Sequence, residues 1–263
     1  MRKFLLLILL LFNIESFSSY LLIPMDDSQT NHLKSYGIAF LSIQNEVKVD
    51  WLLNYKGGSF LIKHYPEIEK ECIVRGVSYQ IIADAQSTEI LRSISSPSVN
   101  QDVVRLEKTP KIAIYSPKNK QPWDDAVTMA LTYAEIPYDV IYDEEVLSGL
   151  LPLYDWLHLH HEDFTGQYGK FYATFKNATW YKEQKVLYEQ LAIKLGFNKV
   201  SKEKLAVSLK IKEFIMGGGF LFAMCSATDS YDIALASQNT DICAHMFDGD
   251  PIESGAQSKL DFS

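Results

Sequence analysis

The chain has 263 residues, of which 47% are hydrophobic and 22% are charged; this composition excludes wholesale disorder and suffices for one large or two small domains with buried cores. Its formal net charge at pH 7 is −8 and the sequence contains no cluster of lysine and arginine, which argues against a nucleic-acid partner. A small-molecule or amide substrate fits this composition better than a nucleic acid.

The first segment has the pattern of a secretory leader. Arg2 and Lys3 precede the unbroken apolar run FLLLILLLF, and polar and small residues follow it. A charged start, a short apolar stretch and a small-residue exit are typical of a signal peptide, and the run is short for a bilayer span. We therefore expect a signal peptide over residues 1–19, cleaved near Ser18 or Ser19, and export to the periplasm or the extracellular space without a stable membrane span. An uncleaved anchor remains the alternative.

The first half of the remaining chain alternates between strand and helix patterns. Strands are predicted at 20–25, 49–55 and 79–83, with a shorter one at SFLI after the turn at Lys56, Gly57 and Gly58, and helices are predicted at 31–44, 66–76 and 84–94. Alternation of this kind predicts a doubly wound parallel sheet in an α/β unit of residues 20–97. Residues 95–110 are rich in serine and proline and lack sustained periodicity, so residues 98–110 are predicted to be a linker.

The same alternation restarts in the second half. Strands are predicted at 111–117, 138–143, 154–161 and 220–224, and helices at 123–136, 180–195, 202–216 and 228–237. This pattern predicts a second α/β unit over residues 111–263. Beyond about residue 237 the chain is polar and rich in turn residues, with no later strand. We therefore expect this unit to be incomplete at its C-terminus.

The segment GGGFLFAMCSATDSYD places Cys225 between a strand and a helix, the arrangement of a nucleophile elbow. The N–H groups and the dipole of the following helix would favour a thiolate and could hold an oxyanion, so Ser226 and Thr228 are expected to contact substrate. A small structural cysteine at a strand end is the alternative. Cys243 could instead form a disulfide with Cys225, whereas Cys72 is expected in a core.

The segment LHLHHEDF should lie at the same sheet edge, because ligands collect where parallel strands end. His160 and His161 are the candidate bases for Cys225. The expected substrate-contacting residues of this loop are Glu162, Asp163, Gly166 and Gly169, the glycines because they let the backbone approach a ligand. Satisfied structural histidines are the alternative. A zinc site would need further ligands from elsewhere in the chain, so no metal and no cofactor is assigned.

Four long phrases carry a family resemblance: YLLIPMDDSQTNHLKSYGIAF, VDWLLNYKGGSF, YDWLHLHHEDFTGQYGKFY and GGGFLFAMCSATDSYDIALA. Together they resemble secreted bacterial proteins labelled asparagine synthetase B, over nearly the whole chain after the leader. The label implies glutamine hydrolysis. However, the asparagine synthetases that carry this name have a cysteine directly after the initiator Met and an SGGLDS-like loop for ATP. This chain has Arg2 and no such loop.

The second half resembles class I glutamine amidotransferase-like domains, which implies a flavodoxin-like sheet with a cysteine at the elbow. Only Cys225 carries over from that class. The class has a glycine two residues after its cysteine, where this chain has Ala227, and its downstream His and Glu cannot be placed, since His245 is the one later histidine. Two functions remain open: Cys-dependent amide hydrolysis or acyl transfer, and a non-catalytic exported protein that binds a small molecule or glycan.

Overall fold

A computed structural model describes residues 19–118 and 126–263, which form two compact units. The first contains residues up to 109 together with 130–136, and the second contains 110–129 and 137–263. The predicted leader therefore lies outside the described residues except for Ser19. Among the helices in the described ranges, none has both the length and the apolar character that a membrane crossing requires.

The first unit is built on a five-stranded antiparallel sheet. Its strands are β1 (Ser19–Ile23), β2 (Val49–Leu53), β3 (Ser59–Lys63), β4 (Gln80–Ala83) and β5 (Asp102–Leu106), and its helices are α1 (His32–Gln44), α2 (Pro66–Arg75) and α3 (Asp84–Ile94). The strand order is β4-β1-β3-β2-β5, and every neighbouring pair is antiparallel. The parallel sheet predicted for this half was therefore wrong, although its helices and strands lie close to the predicted positions.

The connection between β2 and β3 explains the antiparallel pairing. Only residues 54–58 join the two strands, and a parallel pair would need a crossover of a dozen residues or more. Gly57 has φ +78°, and a Cβ there would lie 2.4 Å from the carbonyl oxygen of Met25, so glycine is required in this turn. The order β–α–β–β–α–β from β1 to β4 is that of the split βαβ arrangement.

The strands of the first unit are apolar because both faces of the sheet are covered. Leu21, Ile23 and Phe60 belong to a core with residues of α1 and α2, whereas Leu22 and Leu61 belong to a second core with residues of α3. A strand buried on both faces has a continuous apolar run whatever its direction. The apolar runs therefore predicted burial of these strands correctly, but they carried no information on strand direction.

The predicted linker contains a strand. Residues 102–106 form β5, which pairs with β2 at the edge of the sheet in the register Trp51 to Val104. Arg105 of β5 donates two hydrogen bonds, at 2.8 and 3.1 Å, to the carboxylate of Asp50 in β2. β5 is DVVRL, an apolar run too short to be recognised as a strand among the polar residues around it, and it lies at the edge of the sheet with most of its residues exposed.

The second unit contains a parallel sheet of four strands. Its strands are β6 (Ile112–Tyr115), β7 (Asp139–Ile141), β8 (Trp156–Leu159) and β9 (Phe220–Ala223), in the order β7-β6-β8-β9. Its helices include α5 (Asp143–Leu147), α6 (Gly169–Phe175), α7 (Thr179–Lys194), α8 (Val200–Met216), α9 (Ser226–Ala236) and α10 (His245–Asp248); α4 (Ala126–Ala134) has residues in both units. The prediction of an α/β chain with a parallel sheet is thus confirmed for this unit.

One face of this sheet packs on a large core. Leu157 and Leu159 of β8 are fully buried there with Val207 and Ile211 of α8. Alternate residues of a strand point to opposite faces, so these leucines fix β8 against the helices. The carboxyl ends of β8 and β9 are thereby held at one edge of the sheet, where the candidate site lies.

Candidate functional site

The pairing of β8 with β9 brings the two predicted chemical segments together. The strands are parallel, with Leu159 opposite Ala223. The N–H of Met224 donates to the carbonyl of Leu159 at 2.9 Å, so the pairing continues one residue beyond β9. His160 and His161 therefore leave β8 at the level where Cys225 leaves β9.

Cys225 has the backbone geometry of an elbow. It has φ +52° and ψ −138° and directly precedes α9, which begins at Ser226. Positive φ is rare for residues with a side chain, and such conformations cost about 1–3 kcal/mol each and persist only where their surroundings enforce them. The turn leaves Cys225 exposed, whereas a structural cysteine at a strand end would be buried. The geometry matches the predicted elbow.

The loop that carries the two histidines is fixed to the first turns of α9. The N–H of Ala227 donates to the carbonyl of His160 at 3.0 Å, and Oγ of Ser226 donates to the carbonyl of His161 at 3.1 Å. Oγ of Ser230 donates to the carbonyl of Glu162 at 2.9 Å, in a buried position. Three consecutive carbonyls are thus held by one helix, which sets the position of the imidazoles relative to Cys225.

The thiol and the two imidazoles form one cluster. One donor atom each from His160, His161 and Cys225 lies within 4.8 Å of the other two. The two imidazole rings stack, with centroids 3.6 Å apart and an interplanar angle of 23°. His158, by contrast, is fully buried, and its Nδ1 lies 3.0 Å from the carbonyl of Phe222; because a carbonyl only accepts, Nδ1 carries the hydrogen. His158 therefore has a structural role.

A cavity of about 400 Å³ opens beside this cluster. That volume lies within the range of small-molecule sites. Its wall includes His161, Glu162, Asp163 and Ser226 together with Asp229 of α9. Aromatic residues supply much of the remaining wall, namely Tyr142, Tyr168, Phe171, Tyr181 and Tyr188. The cavity is therefore suited to a ligand with one flat or apolar part and one polar part.

A buried ammonium group lies at the wall of the cavity. Nζ of Lys204 donates to Asp143 at 2.6 Å, to the hydroxyl of Tyr115 at 3.0 Å and to that of Tyr142 at 3.1 Å, and it lies 4.3 Å from the centroid of the Tyr142 ring. Burial alone would lower the pKa of Lys204, but Asp143 and Glu203 raise it overall. Lys204 is therefore a permanent cation with its three protons engaged.

The tyrosines around the cavity are neutral. Burial raises the pKa of Tyr142, Tyr168 and Tyr188, so their hydroxyls keep their protons. Tyr168 and Tyr188 stack, with centroids 5.6 Å apart. The buried hydroxyls of Tyr168 and Tyr181 have no hydrogen-bond partner among the described residues. The wall of the cavity thus combines aromatic faces with a few polar groups.

Four of the predicted residues line the cavity, and three of these form hydrogen bonds within the protein. The carboxylate of Asp163 accepts from the N–H and Oγ1 of Thr165 at 2.9 and 2.6 Å and from the N–H of Tyr168 at 3.0 Å. Ser226 holds the carbonyl of His161. Glu162 is 8% exposed, and its Oε2 accepts from the N–H of His161 at 3.1 Å. Asp163 and Ser226 therefore stabilise the histidine loop as well as lining the cavity.

The remaining predicted contacts lie away from the cavity wall. Gly166 is buried, has φ +72°, and a Cβ there would lie 2.7 Å from the backbone of Ser201. Gly166 therefore serves close packing against α8. Gly169 is the first residue of α6. Thr228 is exposed on α9, and its N–H donates to the carbonyl of Cys225 at 3.2 Å.

Two of the predicted oxyanion donors in α9 are engaged within the protein. The N–H of Ala227 donates to His160 and that of Thr228 donates to Cys225. The loop at 166–169 was the second expected source of donors, but Gly166 packs against Ser201. The positive end of the α9 dipole also lies at Cys225, where it stabilises negative charge.

The cysteines differ in environment. Cys225 is an exposed free thiol, whereas Cys72 and Cys243 are buried free thiols. Burial raises the pKa of both buried thiols to about 12. Sγ of Cys243 donates to the carbonyl of Gly166 at 3.5 Å, so no disulfide joins it to Cys225 in this structure.

Tyr142, Tyr188 and the cation Lys204 were missed by sequence reasoning, whereas Tyr168, Phe171 and Tyr181 lie in the aromatic-rich segment 165–184, for which the sequence left open a flap over the site or a loop packed on the sheet. Tyr142 and Asp143 follow β7, and Lys204 and Glu203 lie in α8. The position of Tyr142 and Asp143 after a parallel strand was the one usable signal, since ligands collect there. Lys204 looked like an ordinary surface lysine of a helix.

The loop SPKNKQPWDD follows β6, so its sequence position also predicts that it meets this edge of the sheet, but its residues 119–125 lie outside the described residues. Comparisons of the chain with models of protein families, with curated proteins and with solved structures gave no match.

Proposed function

We propose that this protein is a cysteine-dependent amide hydrolase or acyl transferase of the class I glutamine amidotransferase-like type. One observation carries the proposal: Cys225 is held at φ +52° and ψ −138° between a parallel strand and a helix, with two imidazoles in reach of its thiol. A strained, exposed cysteine at this position has the geometry of a nucleophile. The cavity that provides room for a substrate has His161 and Ser226, the residue next to Cys225, in its wall; Cys225 itself lies outside that wall.

The sheet order supports the class. Numbered within the second unit, the strands run in the order 2-1-3-4, which is the order of the first four strands in flavodoxin-like sheets. The class resembled by the sequence places its cysteine on such a sheet. The known class takes its histidine from downstream of the cysteine, whereas here His160 and His161 precede Cys225. The proposal therefore places the histidine before the cysteine in the chain, the reverse of the order in the known class. Unrelated hydrolases also carry the same catalytic residues in different chain orders.

The proposed reaction begins with attack of Sγ of Cys225 on the amide carbonyl carbon, while the thiol proton moves to an imidazole. Collapse of the tetrahedral intermediate breaks the C–N bond, and the imidazolium gives its proton to the departing amine. The resulting thioester is cleaved by water, which yields the acid, or by an acceptor amine, which yields a new amide. Both outcomes restore the thiol, and neither needs a cofactor.

His161 is assigned as the acid and base because it lines the cavity. His160 stacks on it and is assigned a positioning role. Removal of a general base costs roughly 10²- to 10⁴-fold in rate. The His161→Ala variant is therefore expected to lose that much in kcat, whereas His160→Ala should lose less and retain its dependence on pH.

The second candidate is a non-catalytic binding protein for a small molecule or glycan. The aromatic wall formed by Tyr142, Tyr168, Tyr181 and Tyr188 favours it, because flat aromatic faces suit sugar rings and other rings. In that case Cys225 would be exposed but chemically ordinary.

Alkylation and thioester trapping separate the two candidates. If Cys225 is an activated nucleophile, iodoacetamide at pH 6.5 should label it at least about tenfold faster than a free cysteine derivative, because alkylation proceeds through the thiolate. Cys72 and Cys243 serve as internal controls, since their raised pKa keeps them inert. Mass spectrometry should then find an acyl adduct on Cys225 with a responsive amide from a panel that includes glutamine. Ordinary labelling and no adduct would favour the binding protein.

We further propose that the protein is exported after removal of residues 1–19. The charged and apolar pattern of the first residues supports this. N-terminal sequencing of protein recovered outside the cytoplasm should begin near Ser19, and the Ile8→Arg variant, which interrupts the apolar run, should not be exported. Retention of the intact leader on the exported protein would contradict cleavage.

A further inference from the structure

The cluster at the elbow has a donor set that suits a metal ion. It contains two imidazole nitrogens and one thiol sulfur, from His160, His161 and Cys225. Imidazole and thiolate are the ligands that borderline-soft ions such as Zn²⁺ prefer, whereas Mg²⁺ and Ca²⁺ prefer oxygen. The histidines of LHLHHEDF alone do not make a zinc site, because they need a further ligand from another part of the chain. The parallel register of β8 and β9 supplies that ligand as Cys225.

The distances are close to those of a zinc site. Donor atoms bound tetrahedrally to Zn²⁺ at about 2.0–2.3 Å lie roughly 3.3–3.8 Å from one another. The donor atoms of the cluster already lie within 4.8 Å of one another. Small rotations of the side chains, by about 1 Å at the donor atoms, would complete the geometry. Zn²⁺ also has no preferred d-electron geometry, so it tolerates the imperfect angles that a stacked pair of imidazoles offers.

The backbone around the cluster is already ordered. Hydrogen bonds from Ser226, Ala227 and Ser230 hold the carbonyls of the histidine loop, so metal binding would have to order side chains only. Glu162 accepts a hydrogen bond from the backbone N–H of His161, which adds to the order of the same loop. The exposed side of Cys225 leaves a path by which an ion can enter.

A second group of potential ligands in the described residues makes a useful contrast. Asp241, Asp248 and Asp250 also have donor atoms within 4.8 Å of one another. Nζ of Lys199 lies 3.6 Å from the carboxylate of Asp241 and 3.1 Å from that of Asp248, and it also pairs with Asp250. The ammonium group of Lys199 thus already pairs with all three carboxylates, whereas the donors of the elbow cluster are two imidazoles and a thiol.

We infer that His160, His161 and Cys225 form a binding site for Zn²⁺ whose occupancy blocks the nucleophile. The blocking effect rests on the proposed function, whereas the metal site stands on the donor geometry alone. On binding, the thiol releases its proton to solvent and its sulfur bonds to the metal. The lone pair of the sulfur that would attack a carbonyl is then held in the metal–sulfur bond. Both imidazoles give their lone pairs to the ion, so neither can accept the thiol proton.

Cobalt substitution and calorimetry test the site directly. Co²⁺ added to the metal-free full chain should give the near-ultraviolet absorption of a thiolate–cobalt bond at one equivalent, and Zn²⁺ should abolish it. The Cys225→Ser variant should lose this absorption. His160→Ala and His161→Ala should each weaken Zn²⁺ binding in calorimetry by at least about tenfold, which is the lower end of the loss caused by removing even an outer partner. The matched control is His245→Ala, an exposed histidine outside the cluster.

Labelling then tests the blocking effect without any substrate. One equivalent of Zn²⁺ should slow iodoacetamide labelling of Cys225 at least about tenfold, and a chelator should restore it. The Cys225→Ser variant should fold like the parent, because Cys225 is exposed. Circular dichroism of each variant checks that its fold is retained.

The outcomes separate the inference from the proposed function. Absence of the thiolate–cobalt absorption, or Zn²⁺ binding unchanged in Cys225→Ser, would overturn the site. Metal binding without protection from labelling, or Zn²⁺-stimulated amide cleavage, would overturn the blocking effect. Protection by Zn²⁺ in a protein that forms no acyl adduct with any amide would support the site and would refute the proposed function instead.

Discussion

Replacing Cys225 by glycine and by alanine gives a direct measure of the strain at the elbow. Both substitutions remove the exposed thiol, but only alanine keeps a Cβ at φ +52° and ψ −138°. At an ordinary position glycine is the less stable of the two, because it has more freedom to lose on folding. At a strained position glycine relieves the clash of the Cβ with the backbone. We therefore expect the usual order of stability to be reversed at this residue.

The magnitude follows from two opposing contributions. A backbone conformation of this kind costs about 1–3 kcal/mol, which glycine recovers. The added freedom of glycine in the unfolded chain costs about 0.4–1 kcal/mol. The glycine variant should therefore be more stable than the alanine variant by about 0.5–2 kcal/mol. The alanine variant should lie within about 0.5 kcal/mol of the parent, because the thiol is exposed.

The assay must report on the second unit alone. Native-state hydrogen exchange on peptides that contain β8 and β9 does this, and urea unfolding followed by circular dichroism gives the overall transition. Asp232, an exposed residue inside α9, provides the matched control, because its glycine variant should be less stable than its alanine variant by about 1 kcal/mol. If glycine is also the less stable residue at position 225, the elbow is unstrained and the structural argument for a nucleophile fails.

Substitutions at three other positions test the framework around the site. Gly166→Ala should destabilise the chain by about 2–4 kcal/mol in urea unfolding, because its Cβ would meet Ser201 at 2.7 Å and its φ is +72°; a loss below about 1 kcal/mol would contradict this packing. Burial raises the pKa of Glu203 to about 8 from an ordinary value of 4.5. The folded state then binds more protons than the unfolded state between these values, so stability should fall as pH rises from about 4.5 to 8, by at most about 1.4 kcal/mol per pH unit. Glu203→Gln should reduce this slope in unfolding measured across that range, and an unchanged slope would refute the assignment. Ser230→Ala should cost about 1–3 kcal/mol because the buried carbonyl of Glu162 loses its donor, whereas Ser230→Thr, which keeps a hydroxyl, should cost less; equal losses would refute the role of the hydroxyl.

The helices and strands could be predicted well because they depend on local periodicity. The predicted helix at 31–44 is observed as His32–Gln44, and the predicted strand at 220–224 as Phe220–Ala223. Strand direction could not be predicted with the same success. Leu21 and Leu22 face different cores on opposite sides of an antiparallel sheet, and this burial produces the same apolar run as a parallel sheet does. The short connection at 54–58 was the signal for a hairpin, and it was outweighed by the alternation of the whole half.

The candidate site was predictable where it depends on strand ends and not where it depends on packing of helices. The approach of His161 to Cys225 follows from two parallel strands ending at one edge, so the sequence could indicate it. Lys204 is one of several lysines in α8, and its position in the helical repeat does not identify it as the buried one. Its burial arises because Asp143 and two tyrosines converge on it from other elements, which is long-range information.

The strain at Cys225 and the order around it support one another as an argument for function. A cysteine that only filled space at a strand end would gain nothing from positive φ and could adopt an ordinary conformation. The strained conformation is accompanied by three hydrogen bonds that fix the neighbouring histidine loop to α9, and by a cavity whose wall includes that loop. Ordering a loop costs conformational entropy, and exposing a thiol forgoes burial, so stability alone favours neither feature. Both features follow if the thiol and an imidazole must meet a third molecule, whether that molecule is an amide or a metal ion.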